Sequence, residues 1–166
     1  MNVSQKIDRL IEEAHQPQGL VRLTTKDKDL FPKLTEVYKR NFDFRKYVPK
    51  DIQKFVETND TELWIKNPKN IEGIVRFRYL NPKKNSVLSK LTKRPKIIFM
   101  SDLISLKKGT GKELIEFVAK KAHSKRLEFF SSAWKKELIP YYEKMGFEYI
   151  DIGNPKLHML KYKEIR

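Results

Sequence analysis

The sequence predicts an α/β (α+β) fold in which a mixed sheet is flanked by helices. A length of 166 residues suits a single domain, and a hydrophobic share of 39% supplies a core. Apolar residues recur at strand spacing in some segments and at helix spacing in others. A strand–helix–strand unit over 97–133 requires a right-handed crossover and therefore a parallel strand pair. Because no repeat or linker interrupts the chain, one domain over 1–166 is expected.

The first half of the chain combines helices with a predicted hairpin. Apolar residues at helical spacing predict a helix over 3–15, which Pro17 and Gly19 end. The next predicted elements are a strand at 20–24, a helix to about Asn41 with Pro32 in its first turn, and a short helix after Pro49. Two strands then form a hairpin, at 62–66 and 71–80.

The second half centres on a near-continuous apolar run at 97–106, which is typical of a buried strand. A long connection over 81–95 precedes it. The predicted elements after it are a helix from about 112, a strand at 127–133, a helix at 135–145 capped by Gly146, and two strands at 147–152 and 157–162.

Several protein classes are excluded by composition. The absence of cysteine excludes disulfides, thiolate zinc sites and a cysteine nucleophile. No signal peptide and no apolar run of membrane-spanning length is present, so a cytoplasmic protein without membrane contact is expected. The isolated histidines His15, His123 and His158 have no metal-ligand spacing, so no metal site is predicted.

The net charge of +15 favours acidic partners, although lysine used as a general solubilising residue is the plainer interpretation. Between 83 and 96 the chain carries six cations and no acid. Five of them form a candidate nucleic-acid-binding set: Lys83, Lys84, Lys90, Lys93 and Arg94. Arg76 and Arg78 alternate with aromatic residues, and we favour a strand with one core face and one solvated cationic face over a stacking surface.

Two glycines separate the buried strand from the helix that follows it. Gly109 and Gly111 flank Thr110, and such a turn lets the free amides of a helix N-terminus approach an anion. The helix dipole adds positive potential. Three lysines add charge: Lys107, Lys108 and Lys112. The turn is a candidate phosphate site, and a turn that merely requires glycine is the alternative; neither the dinucleotide fingerprint nor the P-loop spacing is present.

Two segments carry a resemblance to a known family. Leu106-Lys107-Lys108-Gly109-Thr110-Gly111 lies between strand and helix, and Tyr142-Glu143-Lys144-Met145-Gly146-Phe147 lies further along. Together with their separation and the order of elements from 20 to 163, they resemble the GNAT superfamily of acyl-CoA-dependent N-acyltransferases. The chain departs from that family at Leu106, where Gln or Arg is usual, and at Lys135, where Asn is common. The helix within 1–18 lies outside the resemblance.

The resemblance implies a mostly antiparallel central sheet of about seven strands and acetyl-CoA as cofactor. Amides of 107–112 would hold the pyrophosphate, and the splayed fourth strand would pair with the pantetheine arm and polarise the thioester carbonyl. The implied cofactor-binding residues are Leu103, Ile104, Ser105, Lys107, Lys108, Gly109, Thr110, Gly111 and Lys112. Tyr142 would protonate the departing thiolate, since a phenol is well matched to a thiol; a structural aromatic residue is its alternative role.

The general base has several candidates. Asp102 on the central strand is the first, to act directly or through water, and a hydrogen-bonded buried carboxylate is its alternative role. Glu62 and Glu72 are weaker candidates, and both are expected at the surface.

The sequence thus predicts transfer of an acetyl group from acetyl-CoA to a primary amine by direct attack, in a monomer or homodimer. Two alternatives remain: an acyltransferase directed to tRNA, rRNA or DNA, and a non-catalytic binding module on the same scaffold. An acidic acyl carrier as donor is a further possibility. The acceptor site is expected within 27–58 and 81–95.

Overall fold

A seven-stranded sheet forms the centre of the computed structural model, which describes residues 2–4, 6–7 and 18–163. Its strands are β1 (Leu20–Arg22), β2 (Thr61–Lys66), β3 (Gly73–Leu80), β4 (Ile97–Ser105), β5 (Glu128–Ala133), β6 (Phe147–Ile150) and β7 (His158–Tyr162). The strand order is β1-β2-β3-β4-β5-β7-β6. All neighbours are antiparallel except β4 and β5, which are parallel. The predicted mixed, mostly antiparallel sheet is confirmed.

Residues 3–4 and 6–7 are helical, and five further helices accompany the sheet in the described residues. They are α1 (Phe31–Asn41), α2 (Pro49–Glu57), α3 (Leu88–Leu91), α4 (Thr110–Ser124) and α5 (Ile139–Lys144). Short 3-10 segments precede α1, α3 and α5, at Lys28–Leu30, Pro82–Lys84 and Lys136–Leu138. The predicted helix over 3–15 falls mostly outside the described residues.

Two apolar layers cover the two faces of the sheet. Side chains along β2 point alternately to the two faces, so Leu63 and Ile65 pack in one layer and Trp64 packs in the other. The first layer lies under α1 and α2, around the fully buried Leu34, Tyr38 and Ile52. The second lies under α4 and α5, around Leu114, Phe117, Val118, Phe129 and Phe147. Each such buried side chain contributes about 1.5–3 kcal/mol, so both layers fix the sheet firmly.

Two segments differ from the prediction. The connection 81–95 is not without structure, because the buried Leu88 of α3 packs with Ile97 and Phe130 and fastens the segment to the sheet. The predicted helix at 135–145 is a 3-10 turn followed by α5, whose first turn holds Pro140. No helix in the described part of the chain combines the length and apolarity needed to cross a bilayer.

Candidate active site

Strands β4 and β5 form a fork. They pair only from Ile97 with Glu128 to Met100 with Ser131. Beyond that point β4 stays with β3 as far as Ser105, whereas β5 continues beside β7. The edge of β4 over 101–105 that faces the fork therefore has no strand partner among the described residues. Unpaired strand groups can accept a ligand as an added strand.

A bulge lies at the start of the fork. Arg76 pairs with Asp102, but the next residue of β3, Phe77, pairs with Met100, so Ser101 is an extra residue in β4. Such a bulge bends a strand and redirects its side chains. The Ser131 hydroxyl also donates to the Met100 carbonyl at 2.9 Å, which fixes the point where the strands part.

Asp102 is held by two donors from different elements. Its Oδ2 accepts from the Tyr38 hydroxyl at 3.0 Å and from Arg76 Nε at 2.5 Å. The Arg76 guanidinium in turn lies 3.8 Å from the centre of the Phe55 ring. No described residue donates to Oδ1, which leaves this oxygen for a ligand. The Asp102 carboxylate is thus hydrogen-bonded and also lines a cavity, a position compatible with either of its two alternative roles.

Tyr38 remains a hydrogen-bond donor throughout the physiological range. Burial, supplemented by the charge of Asp102, raises the pKa of its phenol well above the ordinary value. Burial likewise raises the pKa of the neighbouring Tyr47. Since a hydrogen bond to a charged group contributes about 1.5–3 kcal/mol, Tyr38 and Arg76 together fix the orientation of Asp102.

A cavity of about 130 Å³ lies in the fork, roughly the volume of four water molecules. Its floor is the segment 100–103 of β4 with Ser131 and Ser132 of β5, and Tyr142 of α5 adds to the wall. The remaining residues are aromatic: Phe42, Phe44, Tyr47 and Trp134. This volume admits a small acyl group and an attacking atom, so a larger ligand must extend out of the fork.

Two exposed aromatic rings meet at the cavity. Phe44 comes from the loop between α1 and α2, and Trp134 follows β5; they are 65% and 53% exposed. Their centroids are 5.8 Å apart. Lys135 lies over the Trp134 ring at 4.5 Å. Large exposed rings that bridge two sides of a cavity are typical of a ligand-contact surface.

Tyr142 belongs to both the core and the cavity. Its ring packs edge-on to Phe147 at 5.7 Å, while its hydroxyl donates to no described residue. Burial, supplemented by the nearby Tyr141 and Asp102, raises the pKa of Tyr142 to about 12. This is less well matched to a thiol than the sequence suggested, since a thiol has a pKa of about 8.5 and the gap corresponds to roughly 5 kcal/mol.

The glycine turn adopts the geometry that requires glycine. Gly109 caps α4 with φ +90°. A Cβ on Gly111 would clash with the Tyr141 hydroxyl, 2.2 Å away, and would lie 3.3 Å from Ser105 Cβ. Gly111 therefore allows α5 to approach the first turn of α4, which connects the two segments that carry the family resemblance.

Only some amides of the turn are free. Lys107 N donates to the Glu72 carbonyl, Thr110 N to the Lys107 carbonyl, and Gly111 N to Ser105 Oγ at 3.1 Å. No described residue accepts from the amides of Lys108 and Gly109. Within the segment 107–112 that the resemblance implies for phosphate binding, the amides of Lys108 and Gly109 are therefore the pair left open to an anion.

The remaining predicted cofactor residues surround the turn. Leu103 lines the cavity, whereas Ile104 is buried on the opposite face. Lys107 and Lys112 pair with Glu72 and Glu116 at 3.2 and 3.9 Å. Leu106 and Lys135 are exposed, so neither departure from the family pattern disturbs the core.

The weaker base candidates lie away from the cavity. The expectation that Glu62 is a surface residue is wrong: it is 7% exposed and accepts from Trp64 Nε1 at 2.9 Å and Tyr79 Oη at 2.7 Å. Burial opposes its charge, but Lys121 and these hydrogen bonds prevail and lower the pKa of Glu62. Glu72 precedes β3 and pairs with Lys107.

Several contributors were missed by sequence reasoning. Tyr38 and Arg76 act on Asp102 across 64 and 26 residues of chain, a separation that no local pattern reveals. Arg76 was assigned to a solvated face, but it is an ion-pair partner. Tyr141, whose hydroxyl lies against Gly111, is marked in the sequence only by its position next to Tyr142. Among the described residues no cluster of metal-binding side chains occurs, and His158 is buried.

Known proteins were compared by family model, by sequence and by structure. No protein-family model matches, and a search of curated proteins finds no match. Solved structures do match. NAA60 of Arabidopsis thaliana in complex with acetyl-CoA gives a TM-score of 0.66 at 16% identity, over 88% of this chain and 98% of that one.

Two further solved structures match this chain over most of its length. A GNAT-family acetyltransferase of Listeria monocytogenes gives a TM-score of 0.61 at 12% identity, over 88% of this chain and 94% of its own. An aminoglycoside acetyltransferase from an uncultured soil metagenomic sample, in complex with trehalose, gives a TM-score of 0.57 at 19% identity. The match covers 76% of this chain and 85% of that one. This chain has the GNAT fold, as its sequence predicted.

Proposed function

We propose that the protein is an acyltransferase that moves an acetyl group from acetyl-CoA to a primary amine. The observation that carries this proposal is the fork of β4 and β5. Its cavity brings a carboxylate and a phenol together, Asp102 and Tyr142, and β4 leads from it to the N-terminus of α4, where two amides are free. The complex of NAA60 with acetyl-CoA, on the same fold, supports the choice of donor.

The chain offers a suitable cradle for the coenzyme. The free amides of Lys108 and Gly109 lie at the N-terminus of α4 and suit the pyrophosphate, because a helix N-terminus favours anions. The unpaired edge of β4 over 101–105 suits the amide-rich pantetheine arm. Lys107, Lys108 and Lys112 are all exposed around the turn and add positive charge.

When bound, acetyl-CoA supplies a thioester whose carbonyl carbon the amine attacks, so that an amide forms and the sulfur leaves. Asp102 attracts the acceptor ammonium through Oδ1 and receives the proton that the nitrogen releases, directly or through water. Arg76 and Tyr38 occupy Oδ2 and keep the carboxylate in place. Asp102 is therefore proposed as both the binding group and the proton acceptor.

Tyr142 stabilises the leaving sulfur. Because its pKa is about 12, the phenol is protonated at any physiological pH and can donate a hydrogen bond to the thiolate as charge develops. Full proton transfer from so weak an acid is unfavourable by several kcal/mol. The proposed role is hydrogen-bond donation, with the proton of the released thiol supplied from the acceptor side or from solvent.

Calorimetric titration tests the coenzyme half of the proposal. We expect acetyl-CoA and free CoA to bind with micromolar affinity, since both carry the pyrophosphate and the pantetheine arm. A panel of primary amines with detection of released thiol then tests transfer. If neither coenzyme binds, the fold serves here as a non-catalytic module or uses an acyl carrier as donor.

A further inference from the structure

The end of the sheet opposite the fork carries two adjoining cavities. One, of about 340 Å³, lies between the C-terminal end of α4, the start of β5 and the end of β7. The other, of about 370 Å³, lies along 90–95. Arg94 and Glu128 line both. Both are larger than the cavity in the fork, and neither takes part in the proposed acyl transfer.

Cations dominate this surface. The described lining residues include five cations and a single carboxylate, that of Glu128. We call this surface the basic groove and define it by its cations: Lys90, Lys93, Arg94, Arg126 and Lys161. Three of the five belong to the set predicted from the sequence. Arg126 and Lys161 are distant in sequence from these three, and the folded sheet brings them into the same groove.

The charge of the groove is only partly neutralised within the protein. Glu128 accepts from Lys161 at 2.5 Å and lies 3.7 Å from Arg94. Lys90, Lys93 and Arg126 are exposed and have no ion-pair partner among the residues that the structure describes. An uncompensated group of cations in a concave surface attracts polyanions.

The floor of the cavity beside the C-terminal end of α4 distinguishes between polyanions. It is apolar and aromatic beneath the cationic rim, with lining from Ala119, Ala122, Leu127, Phe129 and Tyr162. Phe129 and Tyr162 stack with centroids 5.4 Å apart, and because Phe129 is buried, the half-buried Tyr162 presents the accessible ring. A flat apolar base suits such a floor while phosphates meet the rim, as in proteins that bind single strands. An acidic protein surface would leave this floor unused.

We propose that the basic groove binds single-stranded nucleic acid through its phosphates, with a base inserted against the apolar floor beside the half-buried ring of Tyr162. The groove lies at the amino ends of β4 and β5, whereas the candidate acyl-transfer site lies where the carboxyl-terminal halves of the two strands part. The bound strand is thus an anchor that leaves the fork open. This inference is independent of the proposed acyl transfer.

Fluorescence anisotropy of labelled 12-nucleotide RNA and DNA strands tests the proposal without any coenzyme. With three to five phosphate contacts, we expect affinity to fall roughly 20- to 130-fold between 50 and 200 mM salt. The triple variant Lys90→Gln/Lys93→Gln/Arg126→Asn should lower the logarithmic salt slope by about 2. Asn suits residue 126, whose φ is +56°.

A matched triple variant controls for net charge alone. Lys26→Gln/Lys28→Gln/Lys69→Gln removes the same charge from exposed positions elsewhere and should retain wild-type binding. Equal loss in both variants, or weak binding of the wild type at 50 mM salt, would overturn the proposal. Equally tight binding of polyglutamate or of duplex DNA would overturn the assignment to single strands. A preference between RNA and DNA identifies the natural source of the strand.

Discussion

The two ends of the parallel pair β4–β5 differ in shape and in charge. At the carboxyl ends the strands part around a cavity of about 130 Å³ in which Arg76 and Tyr38 hold one carboxylate. At the amino ends the strands stay paired, and five cations surround two wider cavities with one carboxylate. The comparison shows that a single strand pair can present an enclosed polar pocket at one end and an open cationic surface at the other.

Among substitutions near the fork, those in the glycine turn should have the largest effect, and the property they change is the affinity for acetyl-CoA. Gly109→Val/Gly111→Val forces a side chain into a left-handed backbone at 109 and displaces Tyr141 from 111. Calorimetry should show acetyl-CoA binding weakened at least ~100-fold, while strand binding at the basic groove persists. Gly153→Val is the matched control, because Gly153 has φ +76° and open space around it. Unchanged coenzyme affinity in the double variant would remove the turn from the site.

Two hydrogen-bonded carboxylates, the partly buried Asp102 and the buried Glu62, allow the next comparison. Asp102→Asn should lower kcat on the order of 100-fold with coenzyme affinity retained, since proton acceptance contributes 10²–10⁴. Glu62→Gln should spare kcat but lower the free energy of unfolding by about 1–3 kcal/mol, because it weakens a buried network with Lys121, Trp64 and Tyr79. Steady-state kinetics measure the effect expected for Asp102→Asn, and urea unfolding measures the effect expected for Glu62→Gln. Equal kinetic losses would show that Asp102 acts only through stability.

Tyr142→Phe should give a smaller effect, roughly 10-fold in kcat, through loss of one hydrogen bond to the leaving sulfur. Because burial raises the pKa of Tyr142 to about 12, its proton is in place below pH 10. The ratio of wild-type to variant kcat should therefore stay constant from pH 6 to pH 9. A ratio that falls across this range would indicate that the phenol titrates near neutrality, contrary to its buried position.

The sequence predicts those features of the structure that depend on neighbouring residues, and it does not predict contacts between residues far apart in the chain. Period-two and helical spacing within single segments predicted the strands and most helices, and the glycine turn predicted the start of α4. The support of Asp102 could not be predicted, because Tyr38 and Arg76 reach it only after the sheet has formed. Glu62 was misplaced because its partners Tyr79 and Lys121 are likewise distant in sequence.

The basic groove shows the same limit. The cations at 90–94 form a visible run in the sequence, whereas Arg126 and Lys161 are single charges among many lysines and arginines. The pairing of β4 with β5 and of β5 with β7 brings them beside that run. The net charge of +15 does not by itself favour any one part of the surface, and only the sheet topology brings the cations of the basic groove together.

Backbone amide NMR of the ¹⁵N-labelled protein, titrated separately with acetyl-CoA and with a single-stranded oligonucleotide, tests the separation of the two ends most directly. Acetyl-CoA should perturb amides over 101–112, around Asp102 and the free amides of Lys108 and Gly109. The oligonucleotide should perturb 90–96 and 126–129 instead. Perturbation of one common set of amides by both ligands would contradict the account, as would an absence of any response over 101–112 to acetyl-CoA.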